Sequence, residues 1–186
     1  MAERTTYVLV DGENIDATLG TSILARRPQP SERPRWERLL RHLEQTWGNP
    51  VTGLFFLAVN DGELPLPFVQ ALTAIGYRTV PLSGAPGEKV VDIAIQRTLT
   101  ALSARPRADV VLASHDRDFR PQLEEVLDGR RVGIVGFQEF LASSLRELQQ
   151  DGVQFFDLEF DVGAFNERLP RVRVIPIAEF DPEQFL

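Results

Sequence analysis

Cysteine is absent from the 186 residues, which excludes disulfides and thiolate metal sites. Histidine is scarce: His42 and His115 are the only two, too few for a histidine-rich zinc centre. Lysine occurs once, as Lys89, although Lys and Arg together number 20. The positive charge is therefore almost all arginine, a bias that genomic base composition accounts for. Acidic residues are in excess, and the net charge of −7 argues against broad, nonspecific coating of nucleic acid. It leaves room for a local basic patch beside an acidic site. No apolar run approaches the length of a membrane span. Met1 leads into charged residues and a strand without a signal-like apolar core. The expectation is a soluble, cytoplasmic protein with no membrane contact. What is present is ordinary for a globular chain: 43% hydrophobic residues, and a length that favours one domain with an appendage.

The organising stretch is Val110-Val111-Leu112-Ala113-Ser114-His115-Asp116-Arg117-Asp118-Phe119. Four apolar residues bounded by a polar turn suit a buried strand of a parallel sheet. Phe119, Leu123, Val126 and Leu127 then recur at helical spacing. Asp116 thus follows the carboxyl end of a strand, the edge at which open α/β sheets bind ligands. Thr6–Val10 is a second such strand, followed by Asp11-Gly12-Glu13-Asn14.

The remaining segments alternate in the same way. Asn14–Leu19 reads as a short helix or turn, and 20–34, with three prolines, as a loop. Trp36, Leu39, Leu40, Leu43 and Trp47 form the stripe of a helix, ended by Gly48-Asn49-Pro50. Gly53–Val59 is a second strand, closed by the turn Asn60-Asp61-Gly62. Phe68, Leu72 and Ile75 mark a helix, and Tyr77–Leu82 a third strand. After the Ser83–Gly87 loop, a helix runs from Val90 to about Ser103. Arg131–Gly136 is a fifth strand; Phe140, Leu141, Leu145 and Leu148 give a last helix; Val153–Phe156 suits a short edge strand. Alternating strands and helices predict an α/β fold with a parallel sheet and right-handed crossovers. Residues 1–156 form the predicted domain. Residues 157–186 break the rhythm and are read as an arm that packs on the body or on a partner, with a strand at Val172–Ile177.

Three aspartates carry the chemistry. Asp11 follows strand one, Asp116 follows strand four, and Asp92 lies one turn into the helix after strand three. Mg²⁺ and Mn²⁺ prefer oxygen ligands and usually keep several waters, so two or three carboxylates suffice for one ion. Such an ion polarises a phosphodiester and lowers the pKa of bound water. Asp118 completes the set, binds a second ion, or only caps its helix. A lone aspartate after a strand is more often a cap or turn residue, and that reading applies to each member singly. Asp92 is the most informative, because apolar neighbours Val90, Val91, Ile93 and Ala94 surround it; Lys89 or a metal is its available partner. Asn14 and Ser114 can hold a phosphate oxygen or serve as turn and backbone-bonded residues. His115 reads as a proton shuttle or a solvated turn residue, and Asp61 as a further edge carboxylate or a turn residue. Arg26, Arg27, Arg33, Arg35, Arg38 and Arg41 cluster in the loop and helix after strand one. They form either a basic lip that guides a nucleic-acid strand or a solvated helix face.

These motifs resemble those of the NYN family, a branch of the PIN-like nuclease superfamily. Asp11-Gly12-Glu13-Asn14-Ile15 is similar to its first motif, Lys89-Val90-Val91-Asp92-Ile93-Ala94 to its central one, and Ser114-His115-Asp116-Arg117-Asp118-Phe119 to its third, which usually reads Ser-Gly-Asp-Ser-Asp-Phe. The resemblance covers Tyr7–Phe156 and leaves the arm uncovered. It implies a PIN-like three-layer sandwich, with a central parallel sheet of order 3-2-1-4-5 between helices. It also implies Mg²⁺- or Mn²⁺-dependent RNA hydrolysis at Asp11, Asp92 and Asp116, assisted by Asp118. His115 and Arg117 depart from the pattern; Arg117 adds charge that either binds phosphate or partly neutralises Asp116.

The leading expectation is therefore a metal-dependent endoribonuclease acting on single-stranded or structured RNA. Asp11, Asp92 and Asp116 hold the metal, Asp118 takes part in catalysis, and Asn14, Ser114, Lys89, Arg117, Arg35 and Arg38 contact substrate. The alternative is a catalytically weak regulatory protein that keeps the fold and binds RNA or a protein, with a homodimer through the arm. A Rossmann nucleotide site fails for want of a glycine fingerprint after strand one. A haloacid-dehalogenase phosphatase lacks its Asp-x-Asp.

Overall fold

Six strands carry the apolar runs of the sequence: β1 (Thr5–Asp11), β2 (Val51–Ala58), β3 (Tyr77–Leu82), β4 (Ala108–Ala113), β5 (Val132–Gly136) and β6 (Gln154–Asp157). The structure is a computed structural model that describes residues 4–172 and 174–186. All neighbouring strands pair in parallel, in the order β3-β2-β1-β4-β5-β6. The expected five-strand order is present, and β6 extends it at the β5 edge.

Helices cover both faces, as an all-parallel sheet requires. The α-helices are α1 (Gly12–Ala17), α2 (Trp36–Trp47), α3 (Leu66–Ala74), α4 (Val90–Ser103), α5 (Arg120–Val126) and α6 (Ser143–Arg146). Alternate residues of each central strand supply the two cores. Val8, Val10, Val111 and Ala113 join Ile15 of α1, Trp36, Leu39, Leu43 and Trp47 of α2, and Leu72 of α3. Leu9, Val110 and Leu112 join Ile95 and Leu99 of α4, Leu123 and Val126 of α5, and Leu145 of α6. The result is the three-layer sandwich. Among the described residues, no helix is long and apolar enough to cross a membrane.

Three segments differ from the sequence reading. Thr18–Leu24 is π-helical and continues α1, where a loop was predicted from residue 20. Leu19 is buried and Ile23 and Leu24 pack on the same core, so apolar contact holds this stretch in helical form. The last predicted helix is broken: 3₁₀ turns at Gln138–Phe140 and Glu147–Asp151 flank the four residues of α6. Leu141, Leu145 and Leu148 are nevertheless buried together. Of the strand predicted over 172–177, Arg173 lies outside the described residues and the others form no strand; Val172, Val174 and Ile177 are 91%, 95% and 88% exposed. Residues 157–171 return to the body instead, burying Leu158, Val162, Ala164 and Leu169.

Candidate active site

Strand order alone selects the location. The chain winds outward from β1 to β3 and then returns to β4, so the direction of winding reverses between β1 and β4. A crevice opens at the carboxyl ends of the strands at such a reversal. Val10 of β1 lies opposite Ala113 of β4, which brings Asp11 and Ser114 side by side.

Gly12 makes the turn out of β1 possible at this spot. A Cβ there would sit 2.5 Å from the Phe55 ring, so only glycine lets α1 start so close to β2. Asp11 is 3% exposed. Its Oδ1 accepts the Asn14 backbone N–H at 3.2 Å, and its Oδ2 accepts the Ser114 hydroxyl at 3.0 Å. Burial drives the Asp11 pKa up to about 6, these two bonds oppose the rise, and the charges of Asp92 and Glu13 add to it.

Asp116 sits on the same hydroxyl. Its backbone N–H donates to Ser114 Oγ at 3.2 Å, and its Oδ1 accepts the Asp118 N–H at 2.9 Å. Ser114 thus ties the first and third motifs together. The cap of the following turn is Asp116, not Asp118. Asp118 is exposed, and its carboxylate acts on the site through charge.

Asp92 occupies the first turn of α4, where the helix dipole favours an acid. Its pKa is nonetheless raised, first by burial and then by Asp116, against the opposing pull of Lys89; Asp118 raises it further. Lys89 is 74% exposed and lies 3.7 Å from Asp92. Four carboxylates therefore share one edge and repel one another, with a single ammonium among them.

That donor set is chemically suited to a hard divalent cation: oxygens only, with uncompensated charge. Among the described residues, however, no group of three His, Asp or Glu side chains is close enough together to hold a metal ion. An ion here would rest on one or two carboxylates and complete its shell with water, as Mg²⁺ commonly does.

Of the six basic residues after β1, the side chains of Arg26, Arg33 and Arg38 are committed within the protein, while Arg27 and Arg41 are exposed. Arg26 is paired with Glu32, and Arg33 with Asp16. Arg38 is committed to the C-terminal segment, donating to Gly163 O, Phe165 O and Asn166 Oδ1 at 2.9, 3.1 and 2.6 Å. The Arg35 backbone joins the same segment through Ala164 O at 2.7 Å. Arg117 is exposed beside Asp116, and its side chain has no partner among the described residues. Asp61 is an exposed turn residue in the left-handed region, with φ of 59°.

His115 is neither a solvated turn residue nor open to bulk water: it is 7% exposed. Its Nδ1 lies 2.9 Å from Asn14 Oδ1, and its Nε2 accepts the Phe137 N–H at 2.8 Å. Burial lowers its pKa to about 4. Gly136 makes room for the ring: a Cβ there would lie 2.7 Å from His115 Nε2.

The profile of the NYN domain matches residues 5–159, most of the chain and all three motifs. The chain belongs to the NYN family. The NYN domain is a member of the PIN-like superfamily, and its fold is of nuclease type. A crystal structure of a Vibrio parahaemolyticus protein of unknown function shares this NYN-like fold with a TM-score of 0.63. The two are 17% identical, over 86% of this chain and 95% of that one. No match is found among curated proteins.

Proposed function

We propose that this NYN domain is an endoribonuclease dependent on Mg²⁺ or Mn²⁺. The observation that carries the reading is the Asp11–Ser114–Asp116 hydrogen-bonded set at the β1/β4 crevice, facing Asp92 across a shared field of negative charge. Of Asp11, Asp92 and Asp116, one or two would hold the ion directly, and water would complete its shell. When bound, the ion supplies Lewis acidity and a water of lowered pKa.

The chain's own groups have distinct parts. Ser114 orients Asp11 through its hydroxyl proton and the Asp116 turn through its lone pair. Lys89 and Arg117 are exposed cations at the mouth and offset the carboxylates toward a phosphate. Asn14 offers an amide on the same turn as Asp11. Asp118 adds charge that favours cation binding. Arg38 has no part in substrate binding in this reading, because its donors are used by residues 163–166. Hydrolysis would leave a 3′-hydroxyl and a 5′-phosphate.

The test is incubation of the protein with unstructured mixed-sequence RNA in Mn²⁺, in Mg²⁺ and in EDTA, beside Asp11→Asn and Asp116→Asn. Cleavage requires metal, and each substitution lowers the rate by about 100-fold or more. An Asp116→Asn protein that cleaves as fast as the parent would falsify the assignment.

The exposed run Val172, Val174 and Ile177 favours a second reading, in which a catalytically weak NYN domain binds RNA or a protein, or pairs with a second copy. A melt with and without Mn²⁺ separates the two. Metal that relieves carboxylate repulsion raises the melting temperature and supports the first reading; no metal effect and no cleavage support the second. A sedimentation profile showing only monomer removes the dimer.

A further inference from the structure

We infer that His115 is a positioning residue: it locks the Asn14 side chain so that the amide nitrogen, not the oxygen, is offered to a phosphate oxygen of bound RNA. The inference rests on the nuclease reading for the class of ligand alone.

The polarity of the contact is fixed from both ends. Asn14 Oδ1 accepts the His115 backbone N–H at 2.9 Å. A peptide N–H can only donate, so the side-chain atom facing it is oxygen. On the far side of the ring, the Phe137 backbone N–H meets His115 Nε2 at 2.8 Å. That donor too admits only a lone pair, so the ring proton is on Nδ1. Nδ1 directs it to Asn14 Oδ1 at 2.9 Å, with Thr18 Oγ1 at 3.2 Å as a second acceptor. The Thr18 hydroxyl proton is used elsewhere, on the Asn14 carbonyl at 3.0 Å.

The ring has no room to turn. It stacks on Phe137 with centroids 5.7 Å apart and planes 10° apart, and the backbone of Gly136 closes on its Nε2 edge. Two donors on one oxygen therefore hold the Asn14 amide in a single orientation. Its Nδ2 has no hydrogen-bond partner among the described residues. Among the described residues the buried unpaired side-chain atoms are on Thr6, His42, Gln122 and Ser144, so Nδ2 is open to solvent. It stands one helical turn from Asp11, whose Oδ1 takes the Asn14 backbone N–H. In a crevice crowded with carboxylates, a phosphate needs neutral donors. Without the imidazole the backbone N–H alone holds the oxygen, and an amide that turns from this orientation offers its carbonyl oxygen to the phosphate and repels it.

The test uses the full chain and a short, fluorescein-labelled single-stranded RNA at low salt with Ca²⁺, read by anisotropy. Asparagine carries its amide nitrogen where histidine carries Nδ1, so His115→Asn keeps the contact to Asn14. Glutamine reaches only the Nε2 position, so His115→Gln keeps the contact to Phe137 and loses the other. Expected affinities are within about twofold of the parent for His115→Asn, and about tenfold weaker for His115→Gln and for Asn14→Ala. In the Asn14→Ala background, His115→Gln causes no further loss. Melting temperatures of all variants identify any that fail to fold. Independently, the side-chain NH₂ signals of Asn14 in the ¹⁵N-labelled parent shift on RNA addition. Unchanged affinity in His115→Gln, additive losses in the double variant, or unmoved Asn14 signals at saturation overturn the inference. So does a parent that does not bind the RNA. Binding without metal-dependent cleavage refutes the nuclease reading and leaves the positioning role standing.

Discussion

Asp11 and His115 are buried titratable groups joined through Asn14, and burial acts on them with opposite consequences for pH. The Asp11 pKa rises from 3.8 to about 6, with Asp92 and Glu13 adding to the rise. Between those values the unfolded chain has lost its proton and the folded one has kept it, so stability falls as pH rises from about 4 to about 6. Asp92, also raised, adds to the fall. The His115 pKa drops from 6.5 to about 4 by burial, with Glu139 and Asp157 pulling up and Arg171 pushing down. Here the unfolded chain holds a proton that the folded one lacks, so stability rises over nearly the same interval and is complete above 6.5. Each effect is worth about 3 kcal/mol. In EDTA the parent should therefore show a nearly flat melting temperature from pH 4 to 6.5. Asp11→Asn should become more stable as pH rises through this window, and His115→Gln less stable. Parallel profiles for the two variants would contradict the opposed shifts. The sequence made Asp11 readable as a candidate because it follows a strand. The burial of His115 was not readable, because its partners Asn14, Thr18 and Phe137 lie on other segments.

At the scale of elements, α1 is only six residues long and cannot be stable by itself. Its place is fixed by Ile15 in the core, by the Asp11 cap and by the contact of Gly12 with Phe55. Gly12→Ala puts a methyl group 2.5 Å from that ring and moves either α1 or Phe55. Phe55 is itself held edge-on by Trp36, Phe68 and Tyr77, so it yields little. A destabilisation of about 1–3 kcal/mol follows, seen as a lower denaturant midpoint. The proposed RNA cleavage should fall with it, since α1 carries Asn14. An alanine variant as stable as the parent would show that the helix start has slack. Strand and helix existence was legible from periodicity for α2, α4 and every strand of the sheet. The π-helical continuation through Leu24 and the breakup around α6 were not, because tertiary burial of Leu19, Leu141, Leu145 and Leu148 overrode local pattern. The share of the basic cluster left for a ligand was not legible for a related reason: composition counts arginines, and only the fold shows that Arg26, Arg33 and Arg38 are already paired.

Across the whole molecule, the C-terminal segment reaches a neighbour of the candidate site. The segment after β6 runs back over the sheet and ends in Arg171, whose side chain is 1% exposed. Its guanidinium contacts Asp157, Glu139 and Glu159 and lies over the rings of Phe137 at 5.0 Å and Phe160 at 4.7 Å. Burial raises the Asp157 pKa, yet the Arg171 bonds and the backbone donors outweigh it and leave the pKa lowered. Phe137 is shared: one face of its surroundings is Arg171, another is the His115 ring. The arm is thus coupled through a single aromatic side chain to the residue that holds Asn14. Nothing in the sequence tied Arg171 to three acids spread over residues 139–159. A buried guanidinium removed from acids it satisfies leaves them charged and unpaired, at a cost of about 3–5 kcal/mol. Arg171→Met keeps the bulk and removes the charge, so its melting temperature should fall well below that of the parent at neutral pH. The deficit should shrink on acidification, as Asp157 takes up a proton and no longer needs a cation. A deficit that stays constant down to low pH would mean that Arg171 acts through packing on Phe137 and Phe160 instead of through its charge.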